Sequence, residues 1–273
     1  MAAALLYGGA ANANLIDLNG YTGPIEFKFQ NYESFTSTSI APGAQNFGVV
    51  EVTSIVDPLT GANVWVQGQG GQYLSGVFDG ITVTSVTPTP SGFVTTNSGG
   101  TFQIWLDSAN FDPSQGTSGY AAGGCGVAGL CYNGITNTGG TDLLNFNLVP
   151  GTTSDPTNTL NATVSTTTLP TSGSAAGFAD ITGGADAFEF GTGGFPTLFA
   201  PADLHFLDDF CGNGESGCVG PTTSDWQLFS HDPVDAALVT PVTPVPEPTS
   251  LALLGSALLG FGAWARRRQQ HRG

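Results

Sequence analysis

Carboxylates dominate the side chains that could do chemistry in this sequence, which has 21 Asp and Glu residues against 5 Lys and Arg. Two groups of oxygen-bearing side chains lie close together along the chain: Asp107, Asn110 and Asp112, and Asp208, Asp209, Asn213 and Glu215. Oxygen ligands in loops are what Ca²⁺ prefers, although neither group has the spacing of an EF-hand. Asp and Asn also form turns without any ligand. The sequence therefore predicts a weak calcium site, with turn formation as the stronger alternative.

Paired carboxylates are also the groups that hydrolyse glycosidic bonds. Asp208 and Asp209, or Glu189, are candidates, but acids are so numerous here that some pair can always be chosen. His205 and His231 precede the C-terminal tail, and the sequence has no Gly-x-Ser-x-Gly elbow, His-Glu-x-x-His motif or phosphate-binding glycine loop. We therefore predict a protein that is not an enzyme, with a polysaccharide hydrolase as the less favoured alternative.

The cysteines form two local pairs in sequence. Cys125 and Cys131 enclose GVAGL, and Cys211 and Cys218 enclose GNGESG. Four cysteines allow three connectivities, of which local pairing is the simplest. Neither spacing is typical of a zinc site. Two local disulfides would indicate an oxidising compartment.

Charge is distributed unevenly along the chain. Lys28 is the only Lys or Arg before residue 266. Nucleic-acid binding requires basic side chains that displace counterions, so nucleic acid is excluded as a partner. An anionic polysaccharide would be attracted only through a bridging divalent cation. The simplest interpretation is that acidity keeps an exported domain in solution.

The elements that must position these residues are strands. The 40 glycines and 17 prolines disfavour helices, and apolar and polar residues alternate in 25–29, 102–106 and 144–148. Further predicted strands are residues 47–56, 63–67, 73–86, 159–168 and 185–190. With 18 phenylalanines to fill a core, this pattern predicts one antiparallel β-sandwich with long Gly/Ser/Thr-rich loops, residues 113–142 among them.

The C-terminus has three parts: Val245, Pro246, Glu247 and Pro248; an uncharged apolar segment, residues 249–265; and Arg266, Arg267 and Arg268. A helix over the apolar segment would rise about 26 Å, barely enough to cross a bilayer core of about 30 Å. The arginines should remain cytoplasmic. Hydropathy and charge alone predict a single-pass anchor, whereas the preceding tetrapeptide favours a processed signal.

This order of Pro-Glu-Pro, apolar helix and arginine cluster closely resembles the PEP-CTERM sorting signal of Gram-negative bacteria. The resemblance covers the C-terminal tenth of the chain. It implies recognition by a membrane-bound exosortase, removal of the helix and tail, and release to the cell surface or exopolysaccharide matrix. As a hypothesis from the residues, Pro246 and Pro248 keep the backbone extended and present Glu247 as the recognised charge.

The other end indicates export as well. Residues 1–13 are apolar and end in Ala11-Asn12-Ala13, which fits a signal-peptide cleavage site, although no basic n-region precedes them. We therefore expect either an upstream start or a weak signal. The predicted organisation is a signal peptide (1–13), an exported domain (14–232), a proline-rich stalk (233–248), a transmembrane helix (249–265) and a basic tail (266–273).

Together these observations predict a protein that crosses the inner membrane, is anchored transiently and reaches the cell surface or matrix. Its expected role is structural or adhesive, in a biofilm or floc. The alternatives are a calcium-assisted carbohydrate-binding module and, less favoured, a matrix hydrolase. The expected partners are an exosortase-type enzyme, the membrane before processing, and an exopolysaccharide. Calcium is the one cofactor considered.

Overall fold

The computed structural model describes residues 16–18, 20–122, 131–215, 218 and 224–238. The strands are β1 (Pro24–Phe35), β2 (Gln45–Val56), β3 (Asn63–Val66), β4 (Tyr73–Thr89), β5 (Gly92–Ser98), β6 (Thr101–Asp107), β7 (Thr141–Val149), β8 (Leu160–Val164), β9 (Gly173–Gly183), β10 (Leu204–Gly212) and β11 (Leu228–Ala237). Two short helices, α1 (Gly116–Ala122) and α2 (Ala187–Phe190), accompany them.

The strands close into one antiparallel barrel of 8 strands with extra strands attached. The ring runs β1, β2, β4, β6, β7, β9, β10 and β11, and β11 pairs again with β1. At the other end β5 and β8 replace β6 and β7, pairing with β4 and β9 respectively and with each other. The short strand β3 extends β2 as a hairpin. Every connection between neighbours in the ring is antiparallel.

Two glycines allow β5 to continue into β6 along the same partner strand. Gly99 and Gly100 have φ values of 74° and 108°, which favour glycine. A Cβ atom on Gly100 would lie 2.6 Å from Leu148 Cδ1. The chain therefore passes from β5 to β6 at Gly100, a position where only glycine fits.

The antiparallel, all-β prediction is confirmed, but the strands form a closed barrel rather than two packed sheets. Alternation shows that each strand has one buried face, and this is equally true of a sandwich and a barrel. The difference is made by two long-range pairings, β1 with β11 and β2 with β4, which join what would otherwise be sheet edges. Periodicity carries no information about which strand lies next to which.

Residues 185–190 were predicted as a strand, and this prediction was wrong because they contain helix α2. In a strand Phe188 and Phe190 would share a face, whereas Phe188 is half-exposed and Phe190 is fully buried. The Phe190 ring lies 5.7 Å from the Phe27 ring in the barrel core. The local sequence pattern of residues 185–190 is compatible with a strand or a helix, and the helix is the conformation in which Phe190 packs into the core.

The barrel encloses two apolar clusters at different levels. The larger is centred on stacked rings, with Phe102 lying 5.1 Å from Phe78 and 4.9 Å from Phe146 between centroids. The smaller cluster, at the level of β5 and β8, contains Val83, Val164, Ala175, Phe210 and Leu228. Alternation along the strands brings the apolar residues of the inward face into one of these clusters.

A third cluster covers part of the outside of the barrel. Tyr32 and Phe229 project outward from β1 and β11 and pack against Phe111, Tyr132 and Trp226. The Tyr132 hydroxyl donates to the Asp112 carbonyl at 2.7 Å, which ties the covering segment together. The described part of the predicted loop at residues 113–142 is therefore packed structure, including α1.

The predicted disulfide between Cys211 and Cys218 is confirmed, with Cα atoms 5.8 Å apart. It closes the loop that follows β10. Cys125 lies outside the described residues, so its predicted pairing with Cys131 stays a prediction. Cys131 itself is buried, and its sulfur accepts a hydrogen bond from the Thr136 hydroxyl at 3.8 Å.

Replacing both Cys211 and Cys218 by alanine is expected to lower the free energy of unfolding by about 2 kcal/mol, because a short cross-link removes only modest loop entropy from the unfolded chain. Urea titration of the full-length protein measures this. Oxidised wild type is the reference and wild type reduced with dithiothreitol the control. A loss above about 5 kcal/mol would mean that the bridge holds the barrel itself.

The N-terminal and C-terminal predictions fall largely outside the described residues. This applies to the signal peptide, to the PEP tetrapeptide, to the apolar segment at 249–265 and to the arginines. Where the chain is described, no helix is long and apolar enough to cross a membrane. Strand β11 continues to Ala237 and pairs with β1, so residues 233–237, which we assigned to the stalk, belong to the barrel wall.

Candidate functional site

A layer of polar side chains crosses the inside of the barrel between its two apolar clusters. On β1 the inward face reads Phe29, Asn31, Glu33 and Phe35, and Asn31 and Glu33 are buried. On β10 the inward face has the same order, with Asp208 between Phe206 and Phe210. Each strand thus places polar groups at the level where one apolar cluster ends and the other begins.

The neighbouring strands complete this polar layer. Asn46 on β2 and Ser230 on β11 are buried and adjacent to Glu33. The Asn46 Nδ2 atom donates to Glu33 Oε2 at 2.8 Å, and the Ser230 hydroxyl donates to Glu33 Oε1. The side chain of Asn31 also forms a hydrogen bond with the Glu33 carboxyl. We call Asn31, Glu33, Asn46, Asp208 and Ser230 the polar layer.

The electrostatics of the layer centre on Glu33. Burial, followed by the nearby charge of Asp208, raises the pKa of Glu33 from 4.5 to about 7, although hydrogen bonds from Ser230, Asn46 and Asn31 act in the opposite direction. A carboxyl with a pKa near neutrality exchanges its proton readily under physiological conditions. Such groups are concentrated at functional sites, and this one lies in the position where small barrels bind ligands.

A cavity of about 60 Å³ adjoins the polar layer and is lined by Glu33, Asn46 and Asp208 together with apolar residues of the smaller cluster. Asp208 also borders an open groove of about 560 Å³ on the outer side of β8, β9 and β10. Thr163 and Ser174 form a hydroxyl pair in that groove, with their oxygens 3.0 Å apart. Asp208 therefore stands between the interior and the surface.

The structure separates Asp208 from Asp209, which the sequence analysis grouped together. Successive residues of a strand point to opposite faces, so Asp208 lines the interior cavity while Asp209 is exposed outside. Asn213 donates to the Trp226 carbonyl at 2.8 Å, and Glu215 accepts from the Ser172 hydroxyl. These four residues therefore have different surroundings and do not form one group of ligands.

Asp107, Asn110 and Asp112 each have protein partners of their own. Asp107 is buried and accepts from the Thr138 hydroxyl at 2.6 Å. Asn110 donates to Glu51 at 2.7 Å, and Asp112 accepts from the Ser114 amide at 2.9 Å. Within the described ranges no three His, Cys, Asp or Glu side chains are grouped as a metal centre.

The hydrolase candidates are spread over different elements. Glu189 lies on α2, where burial and then the charge of Asp186 raise its pKa to about 7. His205 Nδ1 lies 3.6 Å from Asp235 Oδ2, and its ring packs 5.0 Å from that of Phe178. His231 is exposed on β11, with its ring against Phe229.

Glu33 and Asn46 were missed by the sequence analysis. The predicted strand at residues 25–29 has its apolar residues at odd positions, and the same period leads directly to Asn31 and Glu33. The predicted strand ended at its last apolar residue, Phe29, so it did not include these two residues. A glutamate in phase with the buried face of a strand is the signal that would have identified the layer.

The comparisons with known proteins agree with the C-terminal prediction. Residues 244–268 match the family model described as PEP-CTERM protein-sorting motif. This range contains the predicted tetrapeptide, the apolar segment and the three arginines. No curated protein and no solved structure matches the chain. The chain therefore carries a PEP-CTERM sorting motif, which supports its export as a surface protein sorted by an exosortase.

Proposed function

We propose that this protein is cleaved at its PEP-CTERM motif after export and acts as a structural or adhesive component of the cell surface or exopolysaccharide matrix. The observation that carries the proposal is the sorting motif at residues 244–268. The destination accounts for the composition of the domain, because a strongly acidic barrel with a disulfide is suited to an oxidising, aqueous environment.

We further propose that the protein works by binding and not by catalysis. The three carboxylates that the sequence suggested as members of an acid and base pair are divided between the interior, where Asp208 lies, the outer face, where Asp209 lies, and helix α2, which holds Glu189. Glycoside hydrolysis requires two carboxyl groups on either side of one scissile bond. This separation favours a non-enzymatic role.

Deleting the gene in its native host tests the adhesive role. The mutant is expected to leave less biomass on a surface after shear, and expression of the full chain should restore it. A matched control complements the mutant with a chain truncated before residue 244, which lacks the sorting motif. Equal retention of biomass by wild type, mutant and both complemented strains would contradict an adhesive function.

A second candidate function, carbohydrate binding, is favoured by the open groove on β8, β9 and β10. Hydroxyl and amide groups of Asn161, Thr163 and Ser174 line it, and such groups form hydrogen bonds with sugars. A glycan array probed with the full-length protein tests this function. A signal lost in the Thr163→Val variant supports the groove as the binding site, whereas no signal with the wild type eliminates this candidate.

A further inference from the structure

The polar layer contains two carboxylates, those of Glu33 and Asp208. Both side chains line the same cavity inside the barrel, where two carboxylates repel each other. The only Lys or Arg before residue 266 is Lys28, and its ammonium pairs with Glu26 on the outward face of β1. Among the described residues, no Lys or Arg compensates these carboxylates, and a bound proton or a cation would do so.

An independent observation points to a cation. Asn46 is only 8% exposed and lines the same cavity as the two carboxylates. Its Nδ2 atom donates to Glu33, but its Oδ1 atom is buried and has no hydrogen-bond partner. A buried amide oxygen without a donor costs free energy unless something electropositive occupies the space in front of it.

The cavity sets the size of the occupant. About 60 Å³ of space open to water is enough for a small ion together with water. Asp208 borders both this cavity and the outer groove, so the layer lies close to the solvent side of β10.

We propose that one Ca²⁺ ion binds inside the barrel between the carboxylates of Glu33 and Asp208 and the amide oxygen of Asn46, with water completing its shell. The ligand set contains only oxygens, which is what Ca²⁺ selects, and it lacks the nitrogen or sulfur ligands that zinc prefers. Ca²⁺ also tolerates the irregular geometry of a strand-lined cavity better than Mg²⁺, which demands a near-ideal octahedron. This site differs from both groups of residues that the sequence suggested.

Thermal unfolding of the full-length protein after chelator treatment tests the proposal. At about 5 mM CaCl₂, above the dissociation constants of roughly 10⁻⁴ to 10⁻³ M found for extracellular calcium modules, the Tm should rise by about 5 °C. The Glu33→Gln and Asp208→Asn variants should each lose this rise. The Asp209→Asn variant is the matched control, because it removes the same charge from the adjacent residue on the outside and should keep the full rise.

Calorimetric titration with CaCl₂ provides a second readout that does not depend on unfolding. We expect a stoichiometry of one for the wild type and Asp209→Asn, and no binding to the interior variants. Absence of any calcium effect on the wild type would overturn the proposal. An equal effect in Glu33→Gln and Asp208→Asn would also overturn it, by placing the ion elsewhere. Neither result bears on sorting, which is read separately from the C-terminus.

Discussion

Replacing Glu33 by glutamine is expected to raise the free energy of unfolding by about 3 kcal/mol at pH 8 in chelator-treated buffer. The cause is the raised pKa of Glu33, about 7 in the folded protein against 4.5 for an ordinary glutamate. At pH 8 the wild-type protein must hold an ionised carboxylate in its interior, close to Asp208. Glutamine keeps the shape of the side chain and removes this charge.

The pH dependence gives the sign of the effect. Below pH 4.5 the carboxyl is protonated in both folded and unfolded chains, so burial incurs no penalty for a charge. Between pH 4.5 and 7 the unfolded chain releases its proton while the folded chain retains it, and wild-type stability falls as pH rises. Above pH 7 the penalty is complete. The wild-type and Glu33→Gln stability curves should therefore converge near pH 4 and separate at pH 8.

Urea unfolding of both proteins across this pH range measures the difference. The Asp209→Asn variant again serves as the control, since an exposed carboxylate on the outer face should change the stability little at any pH. A Glu33→Gln effect that is the same at pH 4 and pH 8 would show that it arises from packing and not from ionisation of the buried carboxyl.

Replacing Glu247 by glutamine is expected to slow cleavage of the C-terminal segment about thirtyfold, because loss of a recognised charge removes roughly 2 kcal/mol of binding energy. From the sequence we expect Pro246 and Pro248 to favour an extended backbone, which would present the carboxylate away from the apolar segment. Uncleaved chain should then accumulate in the inner membrane. Pulse-chase labelling with separation by size measures the cleavage rate in a host with an exosortase.

The chain itself offers a control for the proline-rich context. A Pro241→Ala variant changes a proline upstream of the matched residues 244–268 and should be cleaved at the wild-type rate. Normal cleavage of Glu247→Gln would mean that the enzyme reads the backbone or the apolar segment and not the charge. Slow cleavage of both variants would point to the extended stalk as a whole.

The sequence predicted individual strands better than their assembly. The segments at 25–29, 102–106 and 144–148 alternate clearly and all lie in strands, because one face of each is buried in aromatic core. Strands β5, β9, β10 and β11 were missed. Of these, β9 is rich in Gly and Ala, and β10 carries two adjacent aspartates. Their strand conformation comes from pairing on both sides within the closed ring. That is a tertiary effect, which local propensity does not contain.

The sorting motif could be predicted from the sequence, whereas the polar layer could not. The sorting motif is contiguous, so residues 245–248 and 266–268 could be recognised together from order alone, and the family comparison confirms the motif. The polar layer draws one or two residues from each of four strands, β1 and β2 near the start of the chain and β10 and β11 almost 150 residues later. Only the ring closure brings Glu33 near Asp208 and Ser230. The sequence analysis grouped Asp208 with its neighbour Asp209, but in the strand these two side chains point to opposite faces.

Intact mass spectrometry of the protein recovered from medium, cell surface and inner membrane tests the central proposal most directly. In a host with an exosortase, we expect the surface or matrix form to end between Val245 and Pro248 and to lack the apolar segment and the arginines. Recovery of a single membrane-bound species that retains Arg266 through Gly273 would contradict processing at the motif. It would leave a barrel held at the membrane by its own C-terminus.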